Sequence, residues 1–250
     1  EVIKKSVNPD TEAITNRRGK TEHAEFTGNS FAGYQAWFGT GTQKTSWGHY
    51  DYGKAEEDGT SWPRKDHISI DYFPYVKDYD ESALAQTGFD NLGSGEPTKL
   101  YDSTNENVIN THFKWMNQYG IDGAAIQRFA GTIKGRTLYN DPQDTLLYKM
   151  KTAAENNNSL FYIMYDISGG DQIKDKTDDT TISSWVEDIK FDWVYNIEKQ
   201  LQMTNSDAYA TVDGKPVVCL WGTAVSGRPD RVVDYQEMID FFHKRGCYVI

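Results

Sequence analysis

The chain has 250 residues, a net charge of −11 and an aromatic content of 14%. Its acidity and its lack of a basic cluster argue against nucleic acid or an anionic membrane surface as a partner. No apolar run reaches the roughly 20 residues of a membrane-spanning helix.

Residues 1–30 are polar, lack hydrophobic periodicity and are predicted to form a lead-in to the folded domain. The apolar segment 32–38, AGYQAWF, is predicted to be the first buried strand. Residues 39–102 are rich in Gly, Asp, Ser and Tyr, and we predict a long irregular stretch there. Because loops of that length usually carry function, this stretch is a candidate for ligand contacts.

From residue 103 onward, predicted helices and strands alternate. Ser103 and Glu106 have the spacing of a capping box before a helix that stops at Gly120. An Asp-Gly pair at 213–214 predicts a hairpin turn. The further predicted strands are 121–129, 159–167, one that follows this turn within 211–222, and a fifth from Cys247. The further predicted helices begin at Asp141, Ile182 and Arg231.

The predicted strands are continuously apolar, which indicates parallel β-structure covered on both faces. No glycine-rich dinucleotide fingerprint follows the first strand, so the pattern favours a TIM-type (β/α) barrel over a doubly wound sheet. The chain reaches only the fifth strand of such an eight-stranded barrel. We therefore expect residues 31–250 to form a barrel domain that is incomplete at its C-terminal end.

Ligands of such barrels bind at the carboxyl ends of the strands. Aromatic rings pack on the C–H face of a pyranose, while amides, Arg and carboxylates pair with its hydroxyls. An acid that directly follows apolar strand positions makes Asp166 the candidate catalytic residue. The candidate substrate-binding residues are Tyr34, Trp37, Trp47, His49, Gln127, Arg128, Tyr165 and Trp221.

Several candidates have an equally good structural interpretation. Trp37 ends an apolar strand and fits a core position, and Trp47 fits a ring that caps the barrel. His49 fits a loop residue that only makes hydrogen bonds. Arg128 fits a structural ion-pair partner as well as it fits a sugar ligand.

Other chemistries lack their motifs. The five histidines are scattered and the first strand carries no His-x-His, so we expect no metal. No phosphate-binding loop, serine elbow or Cys–His pair is present. Glycoside hydrolysis commonly needs two carboxyl groups, and only Asp166 is a good strand-end acid in this chain.

Three segments carry a resemblance to a known family: "AGYQAWFG…SWGHYDYG", "LYDSTNENVINTHFKWMNQYGIDGAAIQRFAG" and "SDAYATVDGKPVVCLWG". In this order they resemble the endo-α-mannosidases and endo-α-mannanases of glycoside hydrolase family 99, with family 71 α-1,3-glucanases as more distant relations. The resemblance implies a TIM barrel, an α-glycan substrate such as α-mannan, and no cofactor. It also implies retaining cleavage that uses the sugar's own 2-hydroxyl, assisted by two glutamates that we expect beyond residue 250.

The chain departs from the family at strand ends. Gln127 and Arg128 stand where the family has a Trp pair, and Tyr165-Asp166 stands where a Glu-Pro pair is common. Two hypotheses therefore remain: a glycoside hydrolase, or a carbohydrate-binding and catalytically silent barrel of the same fold. The sequence begins at Glu1, which we interpret as the removal of a signal peptide, so we expect a secreted, periplasmic or cell-surface protein.

Overall fold

The computed structural model describes residues 8–13, 24–40, 47–51, 63–135, 142–170, 173, 178, 180–223, 225–227 and 231–250. The chain divides into two compact units. Unit 1 comprises Glu1–Gln35 and Met116–Ile250, and unit 2 comprises Ala36–Trp115. No helix among the described residues is both long and apolar enough to cross a membrane.

The strands of the described residues belong to two sheets, one in each unit. They are β1 (Phe31–Tyr34), β2 (Leu84–Gln86), β3 (Lys99–Tyr101), β4 (Gly123–Phe129), β5 (Leu160–Asp166), β6 (Thr211–Val212), β7 (Lys215–Trp221) and β8 (Tyr248–Val249). In unit 1 the order β1-β4-β5-β7-β8 is parallel throughout, and β6 pairs antiparallel with β7. The prediction of a mixed α/β protein with a parallel sheet is confirmed.

A closed barrel is not shown, and the sequence predicts only an incomplete one. Among the described residues β1 pairs only with β4, and β8 pairs only with β7, so the sheet remains open between them. The parallel strands of the described residues follow one another in chain order, without the reversal at a switch point that defines a doubly wound sheet.

The helices of the described residues follow the predicted segments closely. They are α1 (Glu106–Gln118), α2 (Ala130–Ile133), α3 (Pro142–Asn156), α4 (Ser184–Asp192) and α5 (Val232–Lys244), with a π-helix at Trp193–Gln200 and short 3₁₀ turns at Glu81–Ala83 and Met203–Asn205. The predicted cap Asp141 lies outside the described residues.

The start of α1 differs from the capping box that the sequence predicts. Asn105 is the capping residue, because its side-chain oxygen accepts a hydrogen bond from the N–H two residues on, at 2.9 Å. Ser103 instead donates its hydroxyl to the carbonyl of Phe38, at 2.8 Å. The predicted stop is confirmed, since Gly120 has a φ of +76°, the left-handed conformation that glycine adopts easily.

The predicted helix over 182–203 is not one uniform α-helix, because α4 passes directly into the π-helix. Its buried apolar residues recur every four positions, and a step of four in an α-helix drifts sideways by roughly 40°. A π-helix has wider turns and drifts in the opposite sense. The change of helix type therefore keeps one apolar row buried, formed by Trp185, Ile189, Trp193 and Ile197.

Unit 2 contains more regular structure than the predicted irregular stretch. Strands β2 and β3 pair antiparallel, from Leu84 opposite Tyr101 to Gln86 opposite Lys99. The core of this unit packs Tyr79, Ala83 and Val108 together with half-buried neighbours that include Trp115. The absence of apolar alternation in such short strands explains why the sequence pattern did not predict them.

The described parts of the lead-in are attached to unit 1 by polar contacts. The ammonium group of Lys190 pairs with Asp10 at 2.7 Å, and Lys199 pairs with Glu12. The N–H of Phe26 donates to the carbonyl of Thr211 at 2.7 Å. These contacts hold polar segments to the sheet unit without hydrophobic periodicity in their sequence.

Candidate functional site

The carboxyl edge of the parallel sheet places three strand-end residues side by side. Phe129 at the end of β4 is opposite Asp166 at the end of β5, and Asp166 is in turn opposite Trp221 at the end of β7. Three of the predicted strand ends are thus level with one another. This edge is where ligands of open and closed parallel sheets bind.

Alternation along the strands divides the predicted site residues between two faces. Because Gln127 is opposite Met164 and Phe129 is opposite Asp166, the side chains of Gln127 and Asp166 share one face. Trp221 is opposite Asp166 and belongs to that same face. Here we call it the open face; its residues Gln127, Met164, Cys219 and Trp221 are half-buried or exposed.

Asp166 is buried and held by hydrogen bonds on both oxygens. Its exposed fraction is 2%. One oxygen accepts from the side-chain amide of Gln127 at 2.5 Å, and the other accepts from the N–H of Ser168 at 2.8 Å and from the Ser168 hydroxyl. In this geometry Asp166 fixes the amide of Gln127 and the start of the loop after β5. Its predicted catalytic role stays a prediction.

Trp221 is the exposed aromatic residue of this edge, with 41% of its surface accessible. Its backbone is fixed, since its carbonyl accepts a hydrogen bond from the N–H of Ile167 at 3.2 Å. The predicted position of Trp221 at the carboxyl end of a strand is confirmed. An indole ring therefore stands next to a hydrogen-bonded amide–carboxylate pair.

The loops at this edge approach each other closely through glycines. A side chain at Gly169, in the loop after β5, would meet the backbone of Gly131 at 3.4 Å, and Gly169 also has a φ of +73°. A side chain at Gly170 would lie 2.9 Å from Trp185. Glycine at these positions lets α2, which follows β4, pack against the loop after β5, and lets that loop pack against α4.

Arg128 and Tyr165 lie on the opposite, helix-covered face, where they are opposite each other in register. Their exposed fractions are 2% and 0%. The guanidinium of Arg128 binds Asp192 at 2.6 Å and Asp144 at 2.7 Å, and the Tyr165 hydroxyl donates to Asp192 at 2.8 Å. This corrects the expectation that both side chains face a ligand at the carboxyl edge, and the ion-pair interpretation of Arg128 fits the geometry.

The charges of this buried network stabilise one another. Burial by itself disfavours the charged forms, but the Arg128 guanidinium holds the pKa of Asp192 below its ordinary value. The Asp192 carboxylate in turn raises the pKa of Arg128. Burial raises the pKa of Tyr165 well above its ordinary value. The hydroxyl therefore stays protonated and acts as the donor of the hydrogen bond to Asp192.

Tyr34 also belongs to the covered face, because it is opposite Ile126 in register. It is 8% exposed. The structure therefore places Tyr34 in the packing between the sheet and its helices. The sequence had instead predicted that its side chain contacts a sugar. Tyr34, Arg128 and Tyr165 share this outcome because a position at the end of a strand does not by itself determine which face the side chain takes.

The remaining candidates, Trp37, Trp47 and His49, belong to unit 2, and all three are half-buried. The rings of Trp37 and His49 stack with centroids 4.7 Å apart and an interplanar angle of 28°. Trp47 meets the edge of Tyr50 at 6.3 Å. His49 has a φ of +63° in the turn after Trp47. The structure brings Trp37 and His49 into one stacked pair, and their predicted contact with sugar stays untested.

The described residues contain no evident set of metal ligands. No cluster of three or more His, Cys, Asp or Glu side chains suited to a metal occurs among the residues that the structure describes. Cys219 and Cys247 are not joined in a disulfide. Burial raises the pKa of the Cys219 thiol to about 11, which makes it a poor nucleophile at neutral pH.

Ser168 is the residue of this edge that the sequence analysis missed. An Asp followed two positions later by Ser is the pattern of an Asx turn, in which the carboxylate accepts from the backbone and hydroxyl of the later residue. That signal was present in the sequence at 166–168. Asp144 and Asp192, by contrast, lie on separate helices, and no local pattern connects them with Arg128.

The chain has a distant likeness to solved structures and none to a family model or a curated sequence. No protein-family model matches the chain, and no curated protein matches it in sequence. Among solved structures, the chain is similar to a GH99 endo-alpha-mannosidase from Bacteroides thetaiotaomicron, with 11% identity and a TM-score of 0.45. The match covers 77% of this chain and 44% of the other. A likeness this distant identifies neither the family nor the activity of the chain.

Proposed function

We propose that the chain binds a neutral α-linked glycan at the carboxyl edge of its parallel sheet, as part of a glycoside hydrolase. The observation that carries this proposal is the 41% exposed ring of Trp221 next to Asp166, on the face that Gln127 shares. An aromatic ring beside fixed amide and carboxylate groups is the combination that recognises a sugar ring and its hydroxyls.

The charge of the chain supports a neutral ligand. With a net charge of −11, the protein repels polyanionic substrates. The hydrogen bond between Gln127 and Asp166 orients both groups before a ligand arrives, which lowers the entropic cost of binding. The sugar-binding role proposed for Gln127 therefore depends on Asp166 as its positioning partner.

The finer points of the proposal come from the family resemblance. They are an α-mannan-like substrate, retaining cleavage, and a pair of catalytic glutamates beyond residue 250. For Asp166 itself to act in catalysis, one of its oxygens has to make a hydrogen bond to the substrate, either beside or in place of the one from Gln127 or Ser168. A secreted, periplasmic or cell-surface location belongs to the same proposal, since polymeric glycans do not cross membranes.

A second candidate function is carbohydrate binding without hydrolysis. The observation in its favour is that both oxygens of Asp166 already accept hydrogen bonds within the protein. A carboxylate held in this way is suited to positioning Gln127 and less suited to proton transfer, which needs a geometry within reach of the substrate.

The first test replaces Trp221 with Ala and measures binding of α-mannan oligosaccharides by calorimetry. Loss of ring stacking is expected to raise Kd roughly two- to tenfold, while Trp221→Phe retains most of the affinity. Tyr248→Ala is the matched control, because Tyr248 on the neighbouring strand β8 is also 41% exposed. Unchanged affinity in Trp221→Ala, with the fold intact by circular dichroism, would contradict the proposed site.

The same oligosaccharides distinguish the two candidate functions. Release of reducing sugar by the wild type supports the hydrolase, and binding without release supports the silent binder. In a hydrolase, Asp166→Asn lowers turnover by about 100-fold or more if the carboxylate transfers a proton. A loss confined to affinity identifies Asp166 as a positioning residue for Gln127.

A further inference from the structure

Unit 2 presents a group of aromatic rings that the proposed site does not use. In the segment 72–75, Tyr72 is 88% exposed, Phe73 is 45% exposed and Tyr75 is 59% exposed. Aromatic side chains of this size are normally buried, and several exposed in one segment indicate a binding surface. Trp115 of α1 lies 6.3 Å from Tyr75 between ring centroids.

One carboxylate orients both of these rings. The indole N–H of Trp115 donates to one oxygen of Asp78 at 3.0 Å. The Tyr75 hydroxyl donates to the other oxygen at 3.2 Å. Because the polar end of each ring is tied to Asp78, the rings are held in position before any ligand binds. We call Tyr75, Asp78 and Trp115 the Asp78 platform.

The platform is supported from below by the core of unit 2. Trp115 packs against Tyr79 at 5.5 Å and against His112 at 5.7 Å. Tyr79 is 8% exposed and belongs to the buried cluster. A ring that is anchored on one side and hydrogen-bonded at its edge loses little freedom when a ligand stacks on it.

We propose that the Asp78 platform is a second glycan-binding surface, which takes a neutral sugar ring by stacking on Tyr75 and Trp115. Each carboxylate oxygen of Asp78 accepts one hydrogen bond from a ring and has a second lone pair that accepts from a sugar hydroxyl. The inference takes only its ligand class from the proposed function, and its residues belong entirely to unit 2.

A cationic ligand is the main competitor, since carboxylates and aromatic rings also attract ammonium groups. Cation sites of that kind enclose the ligand with aromatic rings on several sides. The rings of Tyr75 and Trp115 are instead tilted by 53° and leave Tyr75 largely exposed. This open arrangement fits the flat face of a pyranose better than a compact cation.

The test is affinity electrophoresis in gels that contain α-mannan, with tetramethylammonium and an oligolysine peptide as competing probes. Tyr75→Ala is expected to weaken retention by roughly two- to tenfold. Asp78→Asn is expected to weaken it less, because the amide still accepts one of the two hydrogen bonds. Tyr148→Ala is the matched control, because Tyr148 on α3 is 56% exposed and lies outside the platform.

Each outcome decides the proposal. Weaker retention in Tyr75→Ala and Asp78→Asn, with normal thermal melting and no effect of about 0.5 M salt, supports it. Salt-sensitive competition by oligolysine or tetramethylammonium would contradict the glycan as the ligand of the platform and identify a cation instead. Unchanged retention of Tyr75→Ala overturns the platform as a binding surface.

A parallel run of Trp221→Ala separates this inference from the proposed function. If Trp221→Ala loses retention and Tyr75→Ala keeps it, the carboxyl-edge site stands and the platform is wrong. The reverse result supports the platform and contradicts the edge. A wild-type protein that α-mannan does not retain contradicts both.

Discussion

Unit 1 and unit 2 both bury polar side chains, and they do so with different chemistry. Beneath the parallel sheet of unit 1, Arg128 from β4 binds Asp144 from α3 and Asp192 from α4. In unit 2 the buried carboxylate of Asp102 accepts hydrogen bonds from the neutral N–H and hydroxyl of Thr104, and the Tyr50 hydroxyl donates to the carbonyl of Tyr101 at 2.9 Å. A further contact of unit 2 joins the Tyr79 hydroxyl and the Nε2 atom of His112 at 2.7 Å.

The difference shows how each unit depends on partners and on pH. A buried charge needs its counter-charge at every moment, because desolvation costs several kcal/mol per ion when the partner is removed. A buried hydroxyl or imidazole costs less when it loses a partner. The neutral imidazole, however, is sensitive to acid at a pH where paired carboxylates are not.

The largest expected effect is at Arg128. Arg128→Met leaves Asp144 and Asp192 buried without their counter-charge, and we expect unfolding free energy to fall by about 3 to 5 kcal/mol. Urea denaturation followed by circular dichroism measures the loss. The adjacent residue supplies the control. Gln127→Met removes a hydrogen bond on the open face, and we expect it to lower the unfolding free energy by only about 1 kcal/mol. Equal losses at both positions would contradict the division between the two faces.

A smaller effect is expected from acid at His112. Burial lowers the pKa of His112 from 6.5 to about 4. The unfolded chain therefore binds more protons between these values, and stability falls as pH decreases through that window. We expect a loss on the order of 2 to 3 kcal/mol between pH 7 and pH 4. Denaturation across this range checks it, and His112→Gln should remove this part of the pH dependence.

The ion-paired network of unit 1 has a different pH window. Because the pKa of Asp192 is lowered from 3.8, its contribution is complete above that value and is lost only as pH falls through the lowered pKa. The loss between pH 6.5 and about pH 5, where these carboxylates remain charged in both states, is thus assigned to the imidazole. A His112→Gln protein that retains the full acid sensitivity in this window would contradict that assignment.

The smallest effect is expected at the exposed ion pair of unit 2. Lys99 pairs with Glu81, whose side chain is 77% exposed. Solvent screens such a pair, so Glu81→Gln is expected to change unfolding free energy by less than about 0.5 kcal/mol. A thermal melt beside that of Arg128→Met measures the contrast. A large loss at Glu81 would show that burial does not govern the strength of ion pairs in this chain.

Local patterns in the sequence predicted most of the regular structure of unit 1. The turn at Asp213-Gly214 is an example: both residues have positive φ, +50° and +74°, as a hairpin turn between β6 and β7 requires. The same patterns failed at the start of α1, where Ser103 and Asn105 are both good capping residues. Asn105 caps the helix because the Ser103 hydroxyl is already bonded to the carbonyl of Phe38, 65 positions away.

The site was predicted in part, and the limit has a physical cause. Strand-end position placed Asp166 and Trp221 at one edge, and the alternation of strands separates Gln127 from Arg128. Alternation does not say which face is covered, because that depends on helices supplied by distant segments. Only Asp144 and Asp192, on α3 and α4, turn the face of Arg128 into a buried ion-pair network.

By itself, the sequence determined the order of strands and helices, the hairpin turn and the stop of α1, because these follow from periodicity and backbone preferences over a few residues. The tertiary structure alone decided which face of the sheet is covered, where α4 becomes a π-helix, and that Asp78 holds two rings from separate segments. These features depend on contacts between residues far apart in the chain, and no local pattern encodes them.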